Sequence, residues 1–377
     1  MATPFTMPDP GVPRIPLERL DLDSEQAARY VAESRPFVAR VDWRALAWTP
    51  DHLRATVGDK RVTLHKRDGS RVEVTIAKFL DLVDHQREAA AEYIIHNYPV
   101  MKIWGFDGPN PELACLLADV RWPSFIARDQ VKEIYVWARN VGWYDNKSHC
   151  EPNAAAAINL QIRGKKHVWL FPPEDAGLLG AASPRAEMMD PPFFSAGQTV
   201  YHASPDHPEF AHVRCYEAVL EPGDAIHIPV FWYHWFVHED LYQMNFNIWF
   251  GGPTIPVSPV AAEWSYMNAL CIALGGFKHA KDKFFALPLE TQELLCKIAN
   301  TLIEDRRCTD VKRLMDAKRD APRITIDPKL IDKRSEVAGG GDPDGSAGGA
   351  GDLPRVIDKR SEVAGEGDPD DVAKKSG

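Results

Sequence analysis

The chain has 377 residues, 45% of them apolar, enough for one large or two ordinary domains with a sizeable core. Its net charge is −10 with no long basic run, which argues against sequence-independent DNA binding and leaves nucleic acid an unexpected partner. No stretch reaches the roughly 18 consecutive apolar residues of a membrane helix, so no membrane partner is expected.

The first sixteen residues are Pro-rich and read as a flexible N-terminal arm without the apolar region of a signal peptide. From Asp23 the text "DSEQAARYVAESR" has a helix signature, with Asp23 or Ser24 as N-cap. "PFVARVDW" reads as a short strand, and "TPDHLRATVGD" from Thr49 as a second capped helix closed at Gly58. "RVTLHKRDGSRVEVTI" is a hairpin with Asp68-Gly69 as its turn. "AKFLDLVDHQREAAAEYIIH" is helical, with Phe79, Leu80, Leu82 and Val83 on one face.

From Ile134 the period shortens to that of strands. "EIYVWARNVGWY", "AAAINLQI", "KHVWLF", "QTVYHA", "CYEAVLEP", "AIHIPV", "YHWFVH" and "QMNFNIWF" follow one another between Gly, Pro and Asp. Such a series predicts a sandwich or barrel, as do 11 Trp and 30 Pro. The segment Ala176–Val200 is long, carries Met and Phe, and is either part of a lid or an ordinary surface insertion. After Pro259 helical periodicity returns, with an apolar stripe at Leu294, Leu295, Ile298, Leu302 and Ile303 that caps the barrel or mediates a homodimer. "IDKRSEVAG" occurs at 331–339 and again at 357–365, in a tail with almost nothing apolar to bury. The expected organisation is an arm at 1–16, a main domain at 17–258, a helical cap or dimerisation region at 259–329 and a disordered tail at 330–377. The six cysteines form no C-x-x-C pair, which points to reduced thiols in the cytoplasm rather than a zinc ribbon.

Three short motifs carry chemistry. In an extended strand residues i and i+2 share a face, so "HCE" aims His149 and Glu151 at one point. In "EPGDAIHIPVFWYH" a Pro-Gly-Asp turn starts a strand, Pro229 ends it, and His234 follows among aromatics. Taken alone His234 is a packed core histidine or a ligand. Two imidazoles and one carboxylate are the facial set that holds non-haem Fe(II) and leaves positions open. His238-Glu239-Asp240 is a second H-x-D pattern, read as a decoy leading into a solvated turn. In "QIRGKKHVWLFPP" Lys166 enters a strand after the turn at Gly164. It either alternates outward to solvent or aims an ammonium inward at a carboxylate.

Residues from about 132 to 249 resemble the JmjC/cupin-8-like family of Fe(II)- and 2-oxoglutarate-dependent oxygenases, of the asparaginyl-hydroxylase type. "HCE", "GKKHVWLFPP", "PGDAIHIPVFWYH" and "NIW" match its motifs in order. The resemblance implies a mainly β fold with helices. This is a double-stranded β-helix, or jelly-roll cupin barrel, with N-terminal α/β elements and C-terminal helices. It implies that His149, Glu151 and His234 are the catalytic metal ligands and that Lys166 pairs with the distal carboxylate of 2-oxoglutarate. Asn247 matches a polar residue near the cofactor, and Asn159 shares its strand face with Gln161. The implied activity is a dioxygenase using O2 to hydroxylate a C–H bond of a protein side chain or small molecule, with release of succinate and CO2. The alternatives are a cupin-like binding module without oxygenase activity and another metal cupin, an isomerase or thiol dioxygenase, for which Lys166 has no such role. Two features depart from the family pattern. Lys166 lies 17 residues after His149, longer than usual, with Ala154–Ala157 as the site of a bulge or wider loop. The carboxylate is Glu rather than the commoner Asp.

Overall fold

The computed structural model describes residues 10–66, 68, 70–89, 92–93, 101–105, 108–140, 144–151, 155–179, 208–240, 242–251, 256–274 and 283–306. The repeated tail, residues 1–9 and most of the suggested lid lie outside them, as does "QTVYHA". The chain divides into two units, 1–321 and 322–377, and all the described residues belong to the first.

Fifteen strands are described: β1 (Arg14–Pro16), β2 (Arg19–Leu20), β3 (Phe37–Arg40), β4 (Arg61–His65), β5 (Arg71–Thr75), β6 (Met101–Gly105), β7 (Gly108–Pro109), β8 (Val131–Asn140), β9 (Tyr144–His149), β10 (Ala156–Arg163), β11 (Lys166–Phe171), β12 (Cys215–Leu220), β13 (Asp224–Ile228), β14 (Tyr233–His238) and β15 (Tyr242–Phe250). A five-stranded sheet runs β1-β12-β11-β14-β9, and an eight-stranded sheet runs β2-β3-β13-β10-β15-β8-β6-β7. β4 and β5 pair as the expected hairpin. The two large sheets make the jelly-roll sandwich of a cupin, as expected.

The α-helices named among the described residues are α1 (Glu25–Ala32), α2 (Pro50–Val57), α3 (Ile76–Asp84), α4 (Gln86–Ala89), α5 (Pro259–Ala273) and α6 (Leu289–Glu304). Ser24 caps α1 by accepting from the Ala27 N–H, and Thr49 caps α2 by accepting from the His52 N–H. The helix expected to run past His85 breaks there. His85 leaves helical geometry, and its Nδ1 lies 3.0 Å from the Asp81 carbonyl oxygen. Within the segment read as an arm, Arg14–Pro16 forms a strand that pairs with β12 in parallel and gives it its outer neighbour. No helix among the described residues is long and apolar enough to cross a membrane.

Alternation on β10 divides the interior. Ile158, Leu160 and Ile162 face the helical side and join a large apolar core with Leu53, Phe79, Leu80, Phe246 and Ile248. Ala157 faces the other way, into a smaller cluster between the sheets with Val168, Leu170, Ile226, Trp232, Phe236 and Trp249. Asn159 and Gln161 share that inward parity and are buried at 3% and 0% exposure. A separate cluster joins Tyr266, Leu270 and Leu274 to Leu295 and Ile298 of α6. Leu294, expected on the apolar stripe, is instead 55% exposed.

Candidate metal centre

The Pro-Gly-Asp turn has a physical basis. Gly223 adopts φ +95°, open to glycine at little cost, and its N–H donates to the Gln161 carbonyl at 2.8 Å. The buried Asp224 accepts from the Glu221 N–H at 3.0 Å and from Arg19 Nη1 at 3.0 Å. The turn thus ties β13 to β10 and to the N-terminal segment. Pro229 ends β13, Phe231 takes φ +59°, and β14 begins at Tyr233.

His234 is the second residue of β14, buried at 3% exposure and paired in register with His149. Its Nδ1 lies 3.1 Å from the Trp232 carbonyl oxygen. A carbonyl only accepts, so the proton sits on Nδ1 and the Nε2 lone pair is directed away from that carbonyl. Nε2 lies 3.8 Å from Glu151 Oε1, and the His149 and His234 rings are 4.3 Å apart at 58°. The donor atoms of His149, Glu151 and His234 all lie within 4.8 Å of one another. Metal bonds of about 2.0–2.2 Å keep two donors within about 4.4 Å, so a small closure seats an ion. Among the described residues this is the one such cluster of three.

Electrostatics favour a cation here. Burial pushes the His234 imidazolium well below the ordinary histidine range, aided by His149 and Lys166, so the ring is a neutral donor. Burial raises the Glu151 carboxyl, the nearby Glu133 charge adds to this, and His149 opposes it. A bound cation relieves both strains. The strand reading of "HCE" needs one correction: β9 ends at His149, and Glu151 reaches the cluster from beyond the strand. The following proline has no N–H with which to continue the ladder.

Lys166 faces inward. It is 1% exposed, and Nζ donates to Asn159 Oδ1 at 2.6 Å and sits 4.6 Å over the Phe236 ring. Among the described residues no carboxylate pairs with it. Burial depresses its pKa well below the usual lysine range, and the nearby Arg139 charge adds to this. Asn159 is the register partner of Asn247, whose Oδ1 accepts from Asn245 Nδ2 at 2.8 Å. The three residues expected beside the cofactor therefore stand in one polar layer on the inner face.

The sequence reading missed other members of that layer. Gln161 Nε2 donates to Gln243 Oε1 at 2.7 Å, and His238 Nδ1 lies 3.3 Å from the same oxygen. His238 is 3% exposed, the register partner of Lys166, and not part of a solvated turn. It stands apart from the metal cluster, and the turn begins with Asp240, which accepts from the Lys165 N–H at 2.6 Å. The alternate residues Glu133, Tyr135, Trp137 and Arg139 of β8 also belong to the inner face. Tyr135 and Trp137 pack on the inner cluster, and Tyr135 donates to Glu133 Oε1 at 2.7 Å. Their period-two spacing in "EIYVWAR" was the available signal. At the β1–β12 edge of the smaller sheet, a cavity of ≈ 410 Å³ is lined by Tyr30, Arg35, Arg214, Tyr216 and Trp232 among others, and by no member of the metal cluster. Tyr216 and His234 are both register partners of Leu170, so they stand on one rung of the sheet.

Comparison with known proteins agrees with this architecture. HSPB1-associated protein 1 homolog of Danio rerio is 24% identical over 230 residues, covering 55% of this chain and 49% of the relative. tRNA wybutosine-synthesizing protein 5 of Homo sapiens is 25% identical over 218 residues, covering 51% of this chain and 63% of the relative. The Danio rerio protein of that name is 40% identical over 77 residues, 20% of each chain. The chain spans about half the length of the HSPB1-associated relatives it matches. A family model described as a cupin-like domain matches residues 23–254, and the chain belongs to that JmjC-type cupin-like family.

Proposed function

We propose that this protein is an Fe(II)- and 2-oxoglutarate-dependent oxygenase that hydroxylates a C–H bond of a protein side chain or small molecule. The observation that carries the reading is Lys166. Burying an ammonium costs several kcal/mol unless a counter-charge meets it, and the neutral Asn159 oxygen is not one. An anionic ligand entering the barrel supplies that charge. The donor set of two imidazoles and one carboxylate fits Fe(II), and the inward lysine fits the remote carboxylate of a dicarboxylic 2-oxo acid.

His149, Glu151 and His234 would hold the metal, and Lys166 would hold the acid, with Asn159 and Asn247 beside it. Bound together, the metal and 2-oxoglutarate supply oxidation of an unactivated C–H bond at the cost of one O2, with succinate and CO2 released. The chain's own part is positional. Trp232 fixes the His234 ring through its carbonyl, and the apolar inner cluster of Val168, Leu170 and Phe236 excludes water. One kind of relative is named for a tRNA modification and the other for association with HSPB1. A net charge of −10 favours a protein or small-molecule substrate over tRNA.

The test is succinate formation from 2-oxoglutarate by the Fe(II)-loaded protein under air, with His234→Ala beside it. The expected result is Fe(II)-dependent succinate release that His234→Ala abolishes. Failure of the wild-type protein to bind Fe(II), or undiminished turnover by His234→Ala, would overturn the reading.

A further inference from the structure

Hydrogen-bond accounting inside the barrel leaves donors over. A lysine side chain carries two N–H groups as the amine and three as the ammonium, and Lys166 spends one on Asn159. The indole Nε1–H of Trp137 is buried, and no acceptor meets it among the described residues. Buried donors without acceptors cost about 1–3 kcal/mol each and are rare in folded proteins. A place that collects them is built for an acceptor that arrives later.

Trp137 is well placed for this. It lies on the inner face of β8, opposite Asn245 of β15 in register, and Asn245 is itself opposite Gln161 of β10. One rung on, Tyr135 is opposite Asn247 and Asn247 opposite Asn159, the acceptor for Lys166. The Trp137 side chain packs on the same apolar cluster as Phe236, over whose ring the Lys166 ammonium sits. Asn245 Nδ2 is spent on Asn247, and Gln161 Nε2 on Gln243 and on the Arg163 and Gly164 carbonyls. Among the described residues the donors left on these two rungs are the Lys166 side chain and the Trp137 indole; the Gln161 Oε1 acceptor shares the Trp137 rung, and the Arg139 Nη1 donor lies one rung beyond. A carboxylate offers two oxygens and no proton, which matches such a pair.

We propose that the Trp137 indole N–H is a second donor to the remote carboxylate of the acid bound by Lys166, and so helps select dicarboxylic over monocarboxylic 2-oxo acids. The inference rests on the cofactor reading above and adds a residue to it. A hydrogen bond to a charged group contributes about 1.5–3 kcal/mol, roughly a ten- to hundredfold change in affinity.

The experiment uses the full chain loaded with Mn(II) under argon, titrated with 2-oxoglutarate and with pyruvate, which has the oxo-acid end but lacks the remote carboxylate. Calorimetry reads the dissociation constants of wild type and Trp137→Phe. In the 15N-labelled protein, the indole cross-peaks are followed through the same titrations, and the peak missing from Trp137→Phe assigns Trp137. The expected result is at least tenfold weaker 2-oxoglutarate binding by Trp137→Phe, unchanged pyruvate binding, and a Trp137 N–H signal that 2-oxoglutarate moves and pyruvate does not. Equal affinities in wild type and variant, or equal weakening toward both acids, would overturn the role of Trp137 and leave the cofactor reading standing. If Trp137→Phe does not fold, the wild-type spectra decide, and indole signals unmoved by 2-oxoglutarate reject the proposal. Wild-type protein that binds pyruvate and 2-oxoglutarate equally, or neither, rejects the cofactor reading and this inference with it.

Discussion

The two faces of β10 are built from the same backbone and serve opposite ends. On one side Ile158, Leu160 and Ile162 join an apolar core whose burial stabilises the sandwich. On the other, Asn159, Gln161 and the facing Lys166, Gln243 and Asn247 place polar groups where burial costs free energy. The first face explains why the sandwich folds; the polar side chains of the second fit the ligand proposed above. The apolar core and the proposed site are thus separated by strand parity, one residue apart, rather than by domain. A one-residue slip of β10 would exchange the two faces, so the outer apolar core also fixes the register on which the inner site depends.

The sharpest way to break this division is Lys166→Met. If the lysine serves a ligand, its loss removes one half of a buried charge pair in the bound state, worth about 2–5 kcal/mol, or at least roughly thirtyfold in 2-oxoglutarate affinity. The free protein should lose little, because exchanging a buried ammonium for an apolar chain is often neutral or stabilising. Thermal melts with and without 2-oxoglutarate separate the two effects. The expected result is an unliganded melting temperature within a few degrees of wild type and no upward shift on adding the acid. A large drop in the unliganded protein would show that Lys166 is structural and that the inner face is not set aside for a ligand.

Parity also explains what the sequence disclosed. The Pro-Gly-Asp segment was legible because Gly223 needs positive φ and Asp224 has local N–H partners, so both leave a mark in the text. The inward direction of Lys166 was not, since a strand lysine next to His167 fits either face and only cross-barrel contact with Asn159 decides. Asn159 and Gln161 could be paired by spacing, whereas Gln243 and His238 join them only through the sheet order. Glu151 was placed on the strand with His149, and the strand stops before it. Helix ends were the easiest features, because Ser24 and Thr49 cap their helices through contacts three residues away. The one-residue interruption at His85 had no such signature, and neither did the strand Arg14–Pro16, which pairs with β12.

A smaller effect is expected at Gly164, the turn between the polar end of β10 and Lys166. Its φ is +76°, and an added Cβ would stand 2.4 Å from Gln243 Nε2 and 2.6 Å from the Tyr242 carbonyl oxygen. Gly164→Ala therefore combines backbone strain with a clash against a member of the inner network. The expected loss is about 2–3 kcal/mol, a melting temperature lower by roughly 4–12 °C. Because Gln243 holds Gln161 and His238, the variant should also weaken 2-oxoglutarate binding by Mn(II)-loaded protein. An unchanged affinity in a folded Gly164→Ala protein would show that the polar layer beyond Lys166 is packing only.

The gentlest test works on the other face. Thr49 Oγ1 accepts from the His52 N–H at 3.0 Å and starts α2, which buries Leu53 and Val57 in the outer core. Thr49→Ala leaves that N–H to solvent and should cost about 1 kcal/mol, lowering the melting temperature by roughly 2–4 °C. The buried residues of α2, Leu53 and Val57, belong to the outer core, so Mn(II) and 2-oxoglutarate affinities should match wild type in calorimetry. The comparison with Gly164→Ala is then direct: one variant perturbs the apolar side alone, the other perturbs both sides at their junction. If Thr49→Ala weakens 2-oxoglutarate binding tenfold, loosening of the outer core passes through β10 to its inward side chains. Parity would then separate the residues of the two faces without separating their energetics.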